Sequence, residues 1–314
     1  MKILITGATG FIGKHLADHL FDLGHDIVCT VRKTSNIREL KKKGISLVVA
    51  NLRDEAKVNK VFDKVQPDVV FHCAAKVMSE NEKELHRVNV ESTRNICDAC
   101  SSHGVKRLVY LSSVAVIGGN PDVPLRDGLP YEASDAYGRS KIAAEQIVMD
   151  YRRKGLSVAI LRPCIVYGEN EPHAMDRILK LAQSRRLPIV ALPEMDSKLN
   201  LVYVGNVIQA LSLALEKDEA LDGTFIIADR EIITLKKFVE IVYDELGKGK
   251  PPVIPEWMVK YLMMIPSLKK KAERIFKDRI YNIGRAVDLL GYDPKVATEE
   301  GIRKTIRHWK ENRS

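Results

Sequence analysis

The chain has 314 residues, 45% of them hydrophobic and 29% charged, fractions close to globular averages that suit one large α/β unit plus a smaller region. Five cysteines, an odd number spread through regular segments, exclude a disulfide framework, and Cys97 and Cys100 lack the second pair a tetrahedral metal site needs. The net charge of +9, with lysine triplets at 41–43 and 269–271, reads as solvated faces. Without aromatic stacking stripes it implies no nucleic-acid partner.

The opening MKILITGATG leaves no room for a signal segment, so a cytoplasmic location is expected. No apolar run reaches the roughly 20 residues that span a bilayer. The richest, 257–265, is broken by Lys260. That stretch mixes Tyr261, Leu262, Met263, Met264 and Ile265 with the lysines at 269–271, so it reads as a core-facing helix, an apolar lid or a weak surface-association segment.

Strand-length apolar runs alternate with segments of helical period, the pattern of βαβ units and a parallel sheet. ILI near residue 4 is the first strand, and 14–23 a helix with Leu16, Leu20 and Leu23 on one face, closed by Gly24. Strands follow at DIVCTV, SLVVA, VVFHCA, KRLVYLSS, SVAILRP and TFIIA. Helices are predicted near 55–64, 82–101, 137–154 and 204–216. Beyond about residue 168 the alternation loosens and prolines accumulate. The expectation is α/β: a Rossmann-type doubly wound parallel sheet over 1–168, completed by about 201–235, with a smaller C-terminal substrate-binding region at 169–200 and 236–314.

GATGFIG, residues 7–13, falls between a strand and a helix, the context a dinucleotide fingerprint requires. Gly7 permits a tight turn, Gly10 lets the backbone approach a pyrophosphate, and Gly13 allows close helix packing. Free amides at the helix start then face the phosphates. The acid that usually binds the adenosine ribose is missing at the end of DIVCTVRK, where Arg32 and Lys33 stand. A carboxylate would repel a 2′-phosphate and Arg32 can grip it, so NADP(H) is favoured, with NAD(H) the alternative.

Tyr137 and Lys141, four apart in DAYGRSKIAAEQ, share a helix face. YLSSVAVIGG reads as a buried strand ending in Ser112 and Ser113, whose carboxyl end opens onto the crevice of the glycine turn. Taking a proton from an alcohol while hydride leaves needs a base near neutrality, whereas a free phenol has a pKa of about 10. Lowering it by about three units requires about 4 kcal/mol. A lysine cation about 4 Å away, at an effective dielectric of about 20, supplies that much, and a serine hydroxyl would fix the reacting oxygen.

With these motifs the whole chain resembles the extended short-chain dehydrogenase/reductases, the NAD-dependent epimerase/dehydratase family. The resemblance rests on GATGFIG, on NLRD at 51–54, on FHCAA at 71–75, on RVNVEST with Asn89, on LRPCIVYG and on the terminal AVDLLGYDP. It implies that Ser113 rather than Ser112 joins Tyr137 and Lys141 in catalysis. It also implies cofactor contacts from Gly7, Thr9, Gly10, Phe11, Ile12, Gly13, Arg32, Lys33, Asn51, Leu52, Ala74, Ala75, Lys76, Asn89, Tyr137, Lys141 and Pro163. No metal is implied. A homodimer through the helices bearing Asn89 and Tyr137 is expected.

Several positions depart from family patterns. Val114 and Ala115 stand where dehydratases carry an acidic pair, which disfavours elimination of water. Leu199 replaces the arginine of nucleotide-sugar members, only Arg274, Asp278 and Arg279 offer a loose diphosphate grip, and Asn206 replaces an aspartate. His15 and His19 read as surface residues, and Tyr167 and Trp309 as packing. The expected function is an NAD(P)-dependent oxidoreductase or epimerase acting at a secondary alcohol or ketone, on a nucleotide sugar or related carbonyl compound. An NADPH-dependent ketoreductase of a hydrophobic hydroxysteroid- or dihydroflavonol-like substrate is the alternative, and a non-catalytic dinucleotide sensor the alternative of another class.

Overall fold

The strands form where β-branched and aliphatic residues run without interruption, as a sheet covered on both faces demands. A computed structural model describes residues 1–312 except 80, 173, 185–194, 256, 258, 260, 262, 263 and 267–275. Its main sheet has seven strands: β1 (Lys2–Thr6), β2 (Asp26–Val31), β3 (Ser46–Val49), β4 (Val69–His72), β5 (Arg107–Leu111), β6 (Val158–Pro163) and β10 (Thr224–Ile227). Their spatial order is β10-β6-β5-β4-β1-β2-β3, all parallel. The order reverses between β1 and β4, so the connections leaving these two strands run to opposite faces of the sheet, the switch point at which such sheets bind ligands.

The connecting helices are α1 (Phe11–Asp22), the short α2 (Arg38–Lys42), α3 (Glu55–Val65), α4 (Glu82–Leu85), α5 (Ser92–Ser102) and α6 (Ala136–Arg153). Asp54 caps α3 through Lys57 N, and Asp135 caps α6 through Gly138 N at 2.7 Å, each satisfying an amide with no partner inside its helix. One core cluster joins Val58, Val61 and Phe62 of α3, Ile96, Cys97 and Cys100 of α5, and Ala144 and Val148 of α6 to strand residues such as Val70, Leu108 and Ile160. Cys97 and Cys100 are therefore packed thiols. No group of three metal-binding side chains occurs among the described residues.

The predicted helix over 82–101 is divided in two by a widened turn at His86–Glu91. Such an insertion lets a side chain point inward that a regular helix would carry elsewhere, and here it buries Asn89.

Two compact units divide the chain. The first comprises 1–164, 207–227 and 282–293, the second 165–206, 228–281 and 294–314. In the second, β7 (Ile165–Tyr167) pairs with β9 (Leu201–Tyr203) in parallel, and β8 (Lys198–Leu199) with β11 (Ile233–Thr234) antiparallel. The second unit is centred on the buried carboxylate of Asp229. Asn206 Nδ2 (2.7 Å), Tyr167 Oη (3.1 Å), Tyr203 N (3.1 Å) and Thr298 Oγ1 (3.3 Å) all donate to it. Burial pushes that carboxyl up, and the donors oppose the shift. Trp257, Tyr261 and Met264 are more than two-thirds exposed, which departs from a core-facing reading of that stretch. The lysines at 269–271 and Arg274 lie outside the described residues. Among the described residues no helix is long and apolar enough to cross a membrane.

Candidate active site

The first strand ends in a turn that only glycine can make. Gly7 has φ +75°, and a Cβ there would sit 2.6 Å from Ala74 N; a Cβ on Gly13 would sit 2.3 Å from Gly7 O. Gly10 donates to Gly7 O at 2.9 Å, and the first helical bond is Lys14 N to Gly10 O at 3.0 Å. No side chain caps α1 and no acid lies in its first turn, so the amides of Phe11, Ile12 and Gly13 are left for a ligand with negative charge. A Cβ on Gly10 would meet nothing within 4 Å except Gly7 O at 3.2 Å, so its outer side is open. These features fit a pyrophosphate.

At the end of β2, Arg32 N donates to Ser35 Oγ at 3.1 Å, and Thr9 Oγ1 reaches the same hydroxyl at 3.5 Å. Arg32 and Lys33 are exposed, and neither has a carboxylate partner among the described residues. Asn51 is exposed with Oδ1 accepting from Arg53 N, and the half-buried Leu52 gives its carbonyl to Asn95 Nδ2. Past β4, Ala74 N donates to Thr6 Oγ1 at 3.3 Å and Ala75 is exposed. Asn89 is spent inside the protein: Oδ1 accepts from Lys76 N at 2.7 Å, and Nδ2 donates to Lys76 O at 3.0 Å and Ser140 Oγ at 2.9 Å. It positions the Lys76 backbone rather than facing a ligand itself. Pro163 is buried at the end of β6, in register with Ile227.

Ser113 follows β5 and accepts from Ala115 N at 3.2 Å. Ser112, its neighbour, points the other way and donates to Glu145 in the core. Tyr137 is half-buried in the first turn of α6. Burial pushes its phenol up to about 12, while the Ser113 hydroxyl beside it pulls the other way. Lys141, one turn on, is 2% exposed. Its Nζ donates to Tyr110 Oη and to Leu111 O, each at 2.8 Å, and lies 4.3 Å from the centre of the Tyr110 ring. Burial brings this lysine down to about 8, with Glu145 opposing. The expectation that Lys141 acidifies Tyr137 directly is not met in the protein alone. The ammonium is engaged by β5, and the phenol stands higher than a free one, not lower.

Several residues of this region were not singled out from sequence. Behind the lysine, Thr6 Oγ1 and His72 Nδ1 are 2.7 Å apart, His72 Nε2 and Thr93 Oγ1 3.0 Å, and Thr93 Oγ1 donates to Asn89 O at 2.6 Å. Burial, with Lys141 adding to it, brings His72 down to about 3, so it is neutral. Glu145, fully buried, takes Arg162, Tyr131 Oη (2.9 Å) and Ser112. The available signal was a histidine and an arginine inside otherwise apolar strands.

The model of the NAD dependent epimerase/dehydratase family matches residues 3–228. The chain is 28% identical to a 3beta-hydroxysteroid-dehydrogenase/decarboxylase (isoform 2) of Arabidopsis thaliana, covering 96% of this chain and 61% of that one. It is 29% identical to the decarboxylating sterol-4-alpha-carboxylate 3-dehydrogenase of Saccharomyces cerevisiae, covering 97% of each. It superposes with a TM-score of 0.80 on the UDP-glucose 4-epimerase of Thermus thermophilus solved with NAD, at 26% identity over 99% of both chains. A glycine turn, a doubly wound sheet and a Ser-Tyr-Lys set beside one crevice thus coincide with a family match over most of the chain, which is an enzyme belonging to the NAD dependent epimerase/dehydratase family.

Proposed function

We propose that this enzyme is a nicotinamide-dependent dehydrogenase or ketoreductase interconverting a secondary alcohol and a ketone on a hydrophobic, hydroxysteroid-like substrate. The observation that carries the reaction type is the placement of Ser113, Tyr137 and Lys141 within one unit, on the β5 end and the first turns of α6. The dinucleotide, when bound, supplies or accepts the hydride. The amides of Phe11, Ile12 and Gly13 hold its pyrophosphate, with Gly7, Thr9 and Gly10 shaping the turn. Asn51 and Leu52 would contact its adenine, Ala74, Ala75 and Lys76, held by Asn89, would contact it along the β4 side, and Pro163 would contact the nicotinamide. Arg32 and Lys33 favour a 2′-phosphate and hence NADP(H) over NAD(H).

The chain's own groups handle the proton. Ser113 hydrogen-bonds the reacting oxygen and holds it against Tyr137. A phenol near 12 keeps its proton at neutral pH, so Tyr137 is set to donate it to the oxygen as a ketone is reduced. In the reverse direction the Tyr137 phenolate takes the proton from the alcohol as hydride leaves.

The substrate class is supported by Leu199, 6% exposed, where nucleotide-sugar members carry an arginine, and by the names of the two sterol enzymes. A nucleotide-sugar epimerase is the second reading, favoured by the Thermus structure. We take the second unit as the substrate-binding region, the enzyme as cytoplasmic, and the assembly as a homodimer through α5 and α6, as in many family members. The test is a fluorescence titration of NADPH against NADH, then a screen of hydroxysteroids and UDP-sugars followed at the nicotinamide absorbance. Net cofactor turnover with a steroid alcohol is expected. Conversion of a UDP-sugar without net turnover would establish the epimerase instead, and tighter NADH binding would refute the role given to Arg32.

A further inference from the structure

Lys141 has three N–H bonds and the fold uses two of them, one on the Leu111 carbonyl and one on the Tyr110 hydroxyl. A carbonyl in a strand is fixed, but a hydroxyl rotates, so Tyr110 serves as a reliable acceptor only if something holds its own proton. The neighbouring bonds allow one consistent arrangement. Thr93 donates to the Asn89 carbonyl, which can only accept, so its hydroxyl proton is committed. His72 Nε2 must then be the donor to Thr93 Oγ1, which makes Nδ1 the acceptor of the Thr6 hydroxyl proton. Thr6 Oγ1 in turn accepts from Ala74 N. Thr93 stands near the Tyr110 hydroxyl and keeps one lone pair uncommitted. An ammonium can only donate, so Tyr110 turns a lone pair toward Lys141 and its own proton away from it, with Thr93 the neighbouring acceptor.

We propose that Tyr110 is a positioning residue for Lys141: its hydroxyl, oriented through Thr93 and His72, anchors the ammonium on β5 and leaves one N–H for the reacting side. The inference rests on the reaction proposed above and adds to it a residue outside the Ser-Tyr-Lys set. Tyr110 is 1% exposed and its hydroxyl bonds the ammonium directly, so its first effect is on the lysine. The other groups facing Lys141 are Glu145 on the next turn of α6 and His72 and Cys73 at the end of β4. Glu145 is committed to Arg162, Tyr131 and Ser112. His72 is neutral, and burial pushes the Cys73 thiol up to about 12. Tyr110 is thus the group whose removal acts on the ammonium without altering a charge.

Removing an acceptor from an ammonium favours its neutral form. In Tyr110→Phe, Lys141 should lose its proton at a pH about one unit lower, a tenfold change in the ionisation constant. NMR of protein labelled at lysine Cε reads this without any substrate. The alkaline limb of kcat/KM should move down by the same amount. Thr93→Val keeps the Tyr110 hydroxyl but takes away the acceptor beside it, and should move both readouts the same way by less. It decides the matter if Tyr110→Phe does not fold. An unchanged Lys141 titration in the folded variants, or activity lost equally at every pH, would overturn the inference. If the titration moves while Tyr137→Phe keeps full turnover, the reaction assignment fails and the positioning of Lys141 stands.

Discussion

The difference between a tyrosine that packs and one that reacts lies in a single oxygen. Tyr137 is only half-buried, yet its phenol is held near 12, so its contribution is a proton rather than surface area. Tyr137→Phe keeps the ring and the packing, and should lower kcat by about 10² to 10⁴ with the melting temperature and cofactor affinity unchanged. Steady-state kinetics beside thermal melts check this, and a variant within threefold of the parent would remove Tyr137 from the chemistry. The proposed set could be read from sequence because YxxxK spacing and serines at a strand end are local patterns, while the choice of Ser113 over Ser112 came from the family resemblance. What surrounds Lys141 was not, since Tyr110, His72 and Thr93 come together only through the pairing of β4 with β5 and the packing of α5. Spacing placed Lys141 on the same face of α6 as Tyr137 and gave no sign that β5 would take two of its donors.

Helix α6 carries its buried polar groups on one face, with Lys141 bonded to β5 and Glu145, a turn on, reaching Arg162 on β6. This pair is buried on both sides, with side-chain exposures of 0% and 6%, so neither charge can turn to water if the other is lost. Asp127 adds a third charge 3.8 Å from Arg162. Glu145→Gln should therefore cost about 3–5 kcal/mol, read from urea unfolding. The double substitution Glu145→Leu with Arg162→Met should recover most of it, because a packed apolar pair needs no partner. Equal losses in the two variants would mean that packing, not charge, is what Glu145 provides. The strand runs and the helix at Val204–Glu216 were readable because their periodicity is strong. The break at His86–Glu91 was not readable, because it serves the burial of Asn89 rather than any local preference. The short pairs β7–β9 and β8–β11 were missed for a related reason: two or three residues carry too little pattern, and their pairing is set by partners far along the chain.

Across the whole chain, the dependence of stability on pH is set by a few groups buried away from their preferred charge state. His72 stands near 3 in the folded protein against an ordinary value of 6.5. Between those limits the unfolded chain binds the extra proton, so this group's contribution is complete above about 6.5 and falls by about 1.4 kcal/mol per pH unit on acidification. Asp127 works against it. Burial holds that carboxyl near 6 against 3.8, so the folded state binds the proton first and gains stability as pH falls from about 6 to about 4. Down to pH 4, two units of gain, about 3 kcal/mol, oppose two and a half units of loss, about 3.5 kcal/mol, so the two nearly cancel and the parent weakens only slightly. Lys141, near 8 rather than 10.5, extends the same trend upward, adding stability as pH rises from about 8 to about 10.5. His72→Asn removes the titrating imidazole while keeping a side chain that can bond Thr6 and Thr93. Urea unfolding followed from pH 7 to pH 4 should find this variant less stable than the parent at neutrality, yet gaining up to about 3 kcal/mol toward pH 4, where Asp127 acts unopposed, while the parent stays nearly level. Parallel pH curves for the two proteins would mean that His72 is not the group through which acid acts.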